Sequence, residues 1–168
     1  MKAKAFALAI LIVLPAIAGG QPAPPATSSE MPIYGTALAP GWDNWSWAPT
    51  ELSYTLGGSA RRPIRVAAGP YQGLYLHHAA FSTAPYRALS LLIHGNGQSQ
   101  QVRIVAVVNG QPVADRARPA TLSTNGWLHV DVPLEAIGAA NVMLDGIWVQ
   151  NATNAELPPF YVAEVRLH

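Results

Sequence analysis

The chain has 168 residues, of which 50% are hydrophobic, with 10 Lys and Arg residues against 9 Asp and Glu residues and no cysteine. This length fits one domain with a sizeable core, and the lack of cysteine excludes a fold held by disulfides. The near-neutral charge argues against nucleic acid as a partner, because that binding depends on clustered Lys and Arg.

Residues 1–18 are predicted to be a cleaved signal peptide. Lys2 and Lys4 give a basic start, an apolar run covers residues 5–14, and Ala-Ile-Ala at residues 16–18 is typical of a cleavage site. No second long apolar run follows, so we expect no membrane span. The protein is therefore expected to be secreted or periplasmic. The short signal and the absence of lysine after it indicate a bacterial source.

Residues 19–32 are predicted to form a disordered linker rich in Pro, Ala and Ser. The segment has almost no bulky apolar side chain, so it buries too little surface to order itself. The folded domain is predicted to cover residues 33–168.

Short segments with a two-residue hydrophobic period fill this domain, and glycine-containing turns separate them. The predicted strands are 33–38, 44–47, 51–55, 64–67, 73–78, 88–94, 101–109, 127–132, 146–150 and 160–167. Residues 133–138 are predicted to form one helical turn, since the segment begins with proline and ends with glycine. The pattern predicts an all-β fold, a jelly-roll β-sandwich of two antiparallel sheets.

Alternation within the strands predicts which residues face the core. The predicted core set is Leu74, Leu76, Leu89, Leu91, Ile93, Val102, Ile104, Ala106, Val108, Ile147 and Val149. The opposite faces carry Tyr75, His77, Ser90, His94, Arg103, Trp148 and Gln150. Such a face is either a solvated outer surface or a ligand-binding surface, and its large aromatic residues favour the second interpretation.

Three tryptophans, Trp42, Trp45 and Trp47, lie within six residues. Trp45 and Trp47 would share one face of a strand, and Trp42 follows a Pro-Gly turn. Flat indoles beside Asp43 and Asn44 suit the stacking and hydrogen bonding that hold sugar rings. Core packing and a protein interface remain open alternatives for this cluster.

Several short motifs extend across the domain: IYGTALAPGW at 33–42, NWSW at 44–47, GLYLHH at 73–78, LIHG at 92–95, DGIWVQ at 145–150 and FYVAE at 160–164. With these motifs, residues 33–168 resemble the galactose-binding-like jelly-roll domains of secreted bacterial proteins that are counted among carbohydrate-binding modules. The resemblance implies non-catalytic sugar binding.

The same resemblance implies a structural calcium, held by carboxylates near the first strand and in the last strand. Gly35 and Thr36 stand where acidic residues are expected, and Ala163 replaces one member of an acidic pair. Glu164 is then the single candidate calcium ligand, whereas calcium takes six to eight oxygen ligands.

Catalytic motifs are weak in this sequence. His77 and His78 point to opposite faces of one strand, so they cannot both join His94 around a zinc ion. A glycosidase needs two facing carboxylates, but most of Asp43, Glu51, Asp131 and Asp145 fall in turns or at strand ends. No enzyme activity is therefore expected.

The sequence as a whole predicts a carbohydrate-binding module without cofactor, calcium excepted. Stacking is assigned to Trp42, Trp45, Trp47, Tyr75 and Trp148, and orientation of the sugar to Asp43, Asn44, His77, His94, Arg103 and Gln150. The alternative is an envelope or extracellular protein-interaction domain that uses the same aromatic residues. A small glycoside hydrolase is the weaker alternative.

Overall fold

The structure is a computed structural model that describes residues 29–97, 99–122 and 126–168. The predicted signal peptide and most of the predicted linker lie outside these residues. The described residues contain no helix long and apolar enough to cross a membrane. The strands are β1 (Met31–Tyr34), β2 (Trp42–Asn44), β3 (Thr50–Glu51), β4 (Ile64–Val66), β5 (Gly73–Ser82), β6 (Ala88–His94), β7 (Gln100–Val108), β8 (Gln111–Pro112), β9 (Arg118–Leu122), β10 (Trp127–Pro133), β11 (Met143–Asn151) and β12 (Phe160–Leu167).

The strands form two six-stranded sheets. Sheet 1 has the order β10-β6-β12-β4-β3, and β1 also pairs with β12. Sheet 2 has the order β2-β5-β11-β7-β8, and β9 also pairs with β7. Every pairing is antiparallel. The predicted all-β jelly-roll β-sandwich of two antiparallel sheets is confirmed.

The core lies between the two sheets and follows the predicted alternation. Leu74 and Ile104 from sheet 2 and Leu91 from sheet 1 are fully buried. The whole predicted core set is buried except Val108, which is half-buried at the end of β7. The inward faces were therefore predicted correctly, because apolar residues that alternate along a strand share one face, and this face packs against the opposite sheet.

Several strand boundaries differ from the prediction: β1 and β3 end earlier, at Tyr34 and Glu51, and β5 and β11 are longer than predicted. Met31 and Pro32, the end of the predicted linker, belong to β1 and pair with Leu167 and Arg166. The predicted strand 44–47 is displaced, since β2 ends at Asn44. The edge strands β8 and β9 were not predicted, because each contains a proline, which is tolerated only on sheet edges and hides the strand signal.

The predicted helical turn is present as a 3₁₀ turn over Leu134–Ile137. Pro133 precedes it, and Gly138 ends it with φ +69°, a left-handed conformation that favours glycine. The turn closes the end of the sandwich beside β10.

Candidate functional site

The outer face of sheet 2 carries a set of rings that we call the aromatic platform. Its members are Trp45, Trp47, Tyr75, His77 and Trp148. Trp45 and Trp47 are 57% and 38% exposed, whereas the other three are half-buried. Tryptophan side chains are mostly buried in proteins, so two exposed ones on the same face make this face of the sandwich the candidate functional site.

The chain places both indoles on this face although regular strand β2 has ended. The Trp45 amide donates to the carbonyl of Tyr75 at 2.9 Å, and the Ala48 amide donates to the carbonyl of Gly73 at 3.2 Å. Between them, the Ser46 hydroxyl accepts a hydrogen bond from the Tyr75 amide at 3.0 Å. Segment 45–48 therefore continues along the edge of β5, which holds Trp45 and Trp47 beside the platform.

The rings form a continuous row. The Trp45 indole stacks on the His77 imidazole with centroids 3.5 Å apart, and it meets the Tyr75 ring edge to face at 6.0 Å. Tyr75 contacts Trp148 at 5.9 Å, and Trp148 contacts Trp47 at 4.9 Å, both edge to face. The three edge-to-face contacts have a geometry that aromatic pairs favour, whereas Trp45 and His77 stack face to face with almost no offset. Each ring of the row therefore contacts at least one other ring before any ligand binds.

A glycine on the same face makes room for the row. Gly146 on β11 lies opposite His77 on β5. A Cβ atom at this position would lie 2.6 Å from Tyr75 Cε2 and 2.3 Å from the carbonyl oxygen of Leu76. The Tyr75 ring therefore lies across the space that any other residue at position 146 would fill.

Tyr71 is a site residue that sequence reasoning missed. Its side chain is 52% exposed, and its carbonyl oxygen accepts a hydrogen bond from Trp47 Nε1 at 3.1 Å. Its φ of +55° is unusual for a residue other than glycine. The available signal was an aromatic residue directly after Gly69-Pro70, a pair that is typical of a turn.

Polar groups border the platform. Asp43 is exposed and pairs across the strands with His77. At the other end, Arg103 Nε donates to Gln150 Oε1 at 2.7 Å. Burial raises the pKa of Tyr75, and the nearby Asp145 carboxylate raises it further, so the phenol keeps its proton well above neutral pH. The platform thus offers a carboxylate, a guanidinium and a phenol as hydrogen-bonding groups.

Three predicted site residues do not join the platform. Trp42 is only 4% exposed and packs in the core against the rings of His78 and Phe81. The Asn44 side chain instead stabilises the local turn. Its Nδ2 donates to Thr50 Oγ1, and its Oδ1 accepts from the Ser46 backbone amide.

His94 is on the other side of the molecule. It belongs to β6 of sheet 1, where its ring meets those of Trp127 and Tyr161. Alternation predicted correctly that His94 faces away from the core, but it carries no information on which sheet a strand enters. His77 and His94 therefore cannot share a metal ion, and the described residues contain no group of three His, Cys, Asp or Glu that could hold one.

The residues implied as a calcium site do come together, but they do not fit calcium. Gly35, Thr36, Ala163 and Glu164 line one cavity of about 440 Å³, and Arg61 and Arg62 also line it. The Glu164 carboxylate accepts a hydrogen bond from Arg61 Nε at 2.7 Å. One carboxylate that is already paired with a guanidinium does not satisfy a cation that needs six to eight oxygens.

Comparison with known proteins supports the fold. No protein-family model matches the chain, and no curated protein matches it. Among solved structures, a family 29 carbohydrate-binding module is similar with a TM-score of 0.59 and 18% identity over 83% of this chain and 87% of that one. A CBM29-2 variant complexed with cellulohexaose has a TM-score of 0.59 and 20% identity over 83% and 89% of the two chains. A CBM29-2 variant complexed with mannohexaose has a TM-score of 0.57 and 17% identity over 83% and 90%.

The chain has the fold of the family 29 carbohydrate-binding modules. The likeness spans nearly all of the described sandwich, which agrees with the jelly-roll resemblance of the sequence. At these identities it concerns the fold alone, and function must be argued from the platform.

Proposed function

We propose that this protein is a non-catalytic carbohydrate-binding module that binds a sugar chain along the aromatic platform. The observation that carries this proposal is the pair of exposed indoles, Trp45 and Trp47, on one outer sheet face. Each indole offers a flat apolar surface on which the C–H face of a sugar ring can stack, and neighbouring polar groups can bind its hydroxyls.

The preformed row of rings favours binding. The His77 imidazole supports one face of the Trp45 indole, and Trp47 packs edge to face with Trp148. Side chains that are already ordered lose little conformational entropy when the ligand arrives, so more of the stacking energy contributes to affinity.

The charges around the platform favour an uncharged sugar chain. Asp43 pairs with His77, Asp145 lies near Tyr75, and Arg103 lies at the other end, so no excess of cationic groups would select an acidic polysaccharide. The terminal nitrogens of Arg103 make no hydrogen bond within the described residues, which leaves them free for sugar hydroxyls. Two similar structures hold cellulohexaose and mannohexaose, so we choose these two chains as probes.

The same geometry argues against hydrolysis. Glycosidases place two carboxyl groups on either side of the scissile bond. Asp145 Oδ2 instead accepts a hydrogen bond from the Gly110 amide at 2.6 Å, at the turn after β7. Asp43 stands beside His77 without a second carboxylate as cross-strand partner. The proposed function therefore includes no catalysis, and export through the predicted signal peptide would place the module where polysaccharides occur.

The test is a binding isotherm for cellulohexaose and mannohexaose with the wild type and with the double variant Trp45→Ala/Trp47→Ala. Binding by the wild type and its loss in the double variant would support the proposal. Leu52→Ala is the matched control, because Leu52 is a 41% exposed apolar residue away from the platform. A wild type that binds no sugar on a broad glycan array would contradict the proposal and favour a protein-interaction surface, since Trp, Tyr and Arg are also typical interface anchors.

A further inference from the structure

Gln150 occupies an unusual position beneath one end of the platform. It is only 6% exposed, although it lies on the outer face of β11 between Gly73 on β5 and Arg103 on β7. Its Oε1 accepts from Arg103 Nε at 2.7 Å, and its Nε2 donates to the carbonyl oxygen of Tyr71 at 2.5 Å. These contacts fix the orientation of the amide, because a guanidinium can only donate and a carbonyl can only accept. Gln150 is therefore not free to contact a ligand.

The carbonyl oxygen of Tyr71 joins this amide to the platform. It accepts one hydrogen bond from Gln150 Nε2 and another from Trp47 Nε1, which together use both of its lone pairs. The contact with Tyr71 is the only hydrogen bond of the Trp47 indole within the described residues. The orientation of the Trp47 indole, which is more buried than that of Trp45, thus depends on the direction of the Tyr71 carbonyl.

The Tyr71 carbonyl belongs to a strained turn. Tyr71 has φ +55°, a conformation that costs a residue other than glycine free energy and persists only where its surroundings impose it. Backbone contacts hold the turn, with the Tyr71 amide donating to the Thr153 carbonyl at 3.1 Å and the Asn151 amide donating to the Gln72 carbonyl at 2.8 Å. Apart from the Trp47 indole itself, the Gln150 side chain is the group that donates a hydrogen bond to the Tyr71 carbonyl within the described residues.

We propose that Gln150 is a positioning residue that sets the angle of the Trp47 indole through the Tyr71 carbonyl, so that Trp45 and Trp47 can stack on one extended sugar chain at the same time. The proposal rests on the proposed function and replaces the direct ligand contact that the sequence assigned to Gln150. It makes the Arg103–Gln150–Tyr71 series of contacts the determinant of the Trp47 orientation.

The decisive variant is Gln150→Glu. A glutamate keeps the size of the side chain and the acceptor for Arg103, but it cannot donate to the Tyr71 carbonyl. Gln101→Glu is the matched control, since Gln101 is an exposed glutamine on the outer face of β7 and its side chain makes no hydrogen bond within the described residues. Both variants add one negative charge to the same sheet face.

Two readouts test the proposal. The first is solvent exchange of the Trp47 indole N–H measured by NMR without ligand, with the Trp45 indole as internal reference. We expect Gln150→Glu to accelerate the Trp47 exchange by tenfold or more, with no such change for Gln101→Glu. The second is the Kd for cellulohexaose, which should rise on the order of tenfold in Gln150→Glu alone, the usual effect of one lost hydrogen bond.

The outcomes separate the two hypotheses. If the wild type binds no sugar, the proposed function fails, while the indole exchange still tests the positioning. If folded Gln150→Glu leaves the Trp47 exchange unchanged, the positioning proposal is overturned whatever the affinity. If Gln150→Glu does not fold, Arg103→Leu is the second variant. Arg103 is half-buried and donates the hydrogen bond that orients the Gln150 amide, so its replacement must accelerate the Trp47 exchange. An unchanged exchange rate would overturn the proposal.

Discussion

The imidazole of His77 lies parallel to the indole of Trp45, with ring centroids 3.5 Å apart and planes inclined by 6°. This contact occupies one face of the indole, and the 57% exposure of Trp45 leaves the other face to solvent. A β5 residue thereby supports a residue that lies beyond the end of β2. The platform therefore depends on both strand β5 and segment 45–48. Substitutions of exposed rings should mainly affect sugar binding, whereas substitutions of buried residues should mainly affect stability.

Trp42→Ala should mainly reduce the stability of the domain, whereas Trp45→Ala should mainly reduce sugar binding. Trp42 is 4% exposed, so its replacement should destabilise the domain by about 3 to 5 kcal/mol through lost burial and the cavity left behind. Trp45→Ala removes a largely exposed ring and one stacked pair, so it should cost no more than about 1 kcal/mol while it removes sugar binding. Chemical denaturation and a binding isotherm on both variants check this, and equal losses of stability would contradict the assignment of the two indoles.

Gly146→Ala should disturb the platform from beneath. The added methyl group would lie 2.6 Å from Tyr75 Cε2 and 2.3 Å from the Leu76 carbonyl oxygen, so both the ring and the strand must shift. We expect a loss of about 1 to 3 kcal/mol, typical of overpacking, together with weaker sugar binding. Gly57→Ala is the control, because a Cβ at Gly57 would meet no atom within 4 Å and should leave both quantities unchanged.

The sequence predicted the layers of this protein better than its surfaces. The alternation of Leu89, Leu91 and Ile93 along one strand was enough to predict that these residues are buried, because alternation is a local property of the sequence. Whether the outward residues His77 and His94 meet depends on which sheet each strand joins, and this is decided by contacts far apart in the chain. Tyr71 was missed for a related reason, since its exposure follows from a turn whose left-handed φ is imposed by β11.

Calcium removal should have no effect on this domain. Arg61 already provides the positive charge next to Glu164, and its guanidinium also lies 5.5 Å from the centroid of the Trp127 ring. We expect the Tm and the sugar affinity to be the same in EDTA and in millimolar calcium chloride. A calcium-dependent rise in Tm in the wild type that disappears in Glu164→Gln would show instead that the cavity binds the ion.

Because of Tyr34, the free energy of unfolding of the domain should fall as the pH rises above about 10. Its side chain is 1% exposed, its hydroxyl donates to the Arg62 carbonyl at 2.8 Å, and it accepts from the Ser53 amide at 2.9 Å. Burial raises the pKa of Tyr34 above its ordinary value of 10.0, and the hydrogen bond from Ser53 opposes this only in part.

The sign of the pH effect follows from linkage. Below pH 10 the phenol is protonated in both states, so its full contribution to stability is present. As the pH rises further, the unfolded chain loses this proton first, and the free energy of unfolding must fall until the folded state ionises as well.

Tyr34→Phe should be less stable near neutral pH by about 1 to 3 kcal/mol, because the Ser53 amide loses its acceptor. The decline above pH 10 should be shallower in this variant than in the wild type, although Tyr75, whose pKa is also raised, keeps part of it. Urea unfolding at pH values from 7 to 11 measures both quantities, and parallel curves for the two proteins would contradict the role assigned to Tyr34.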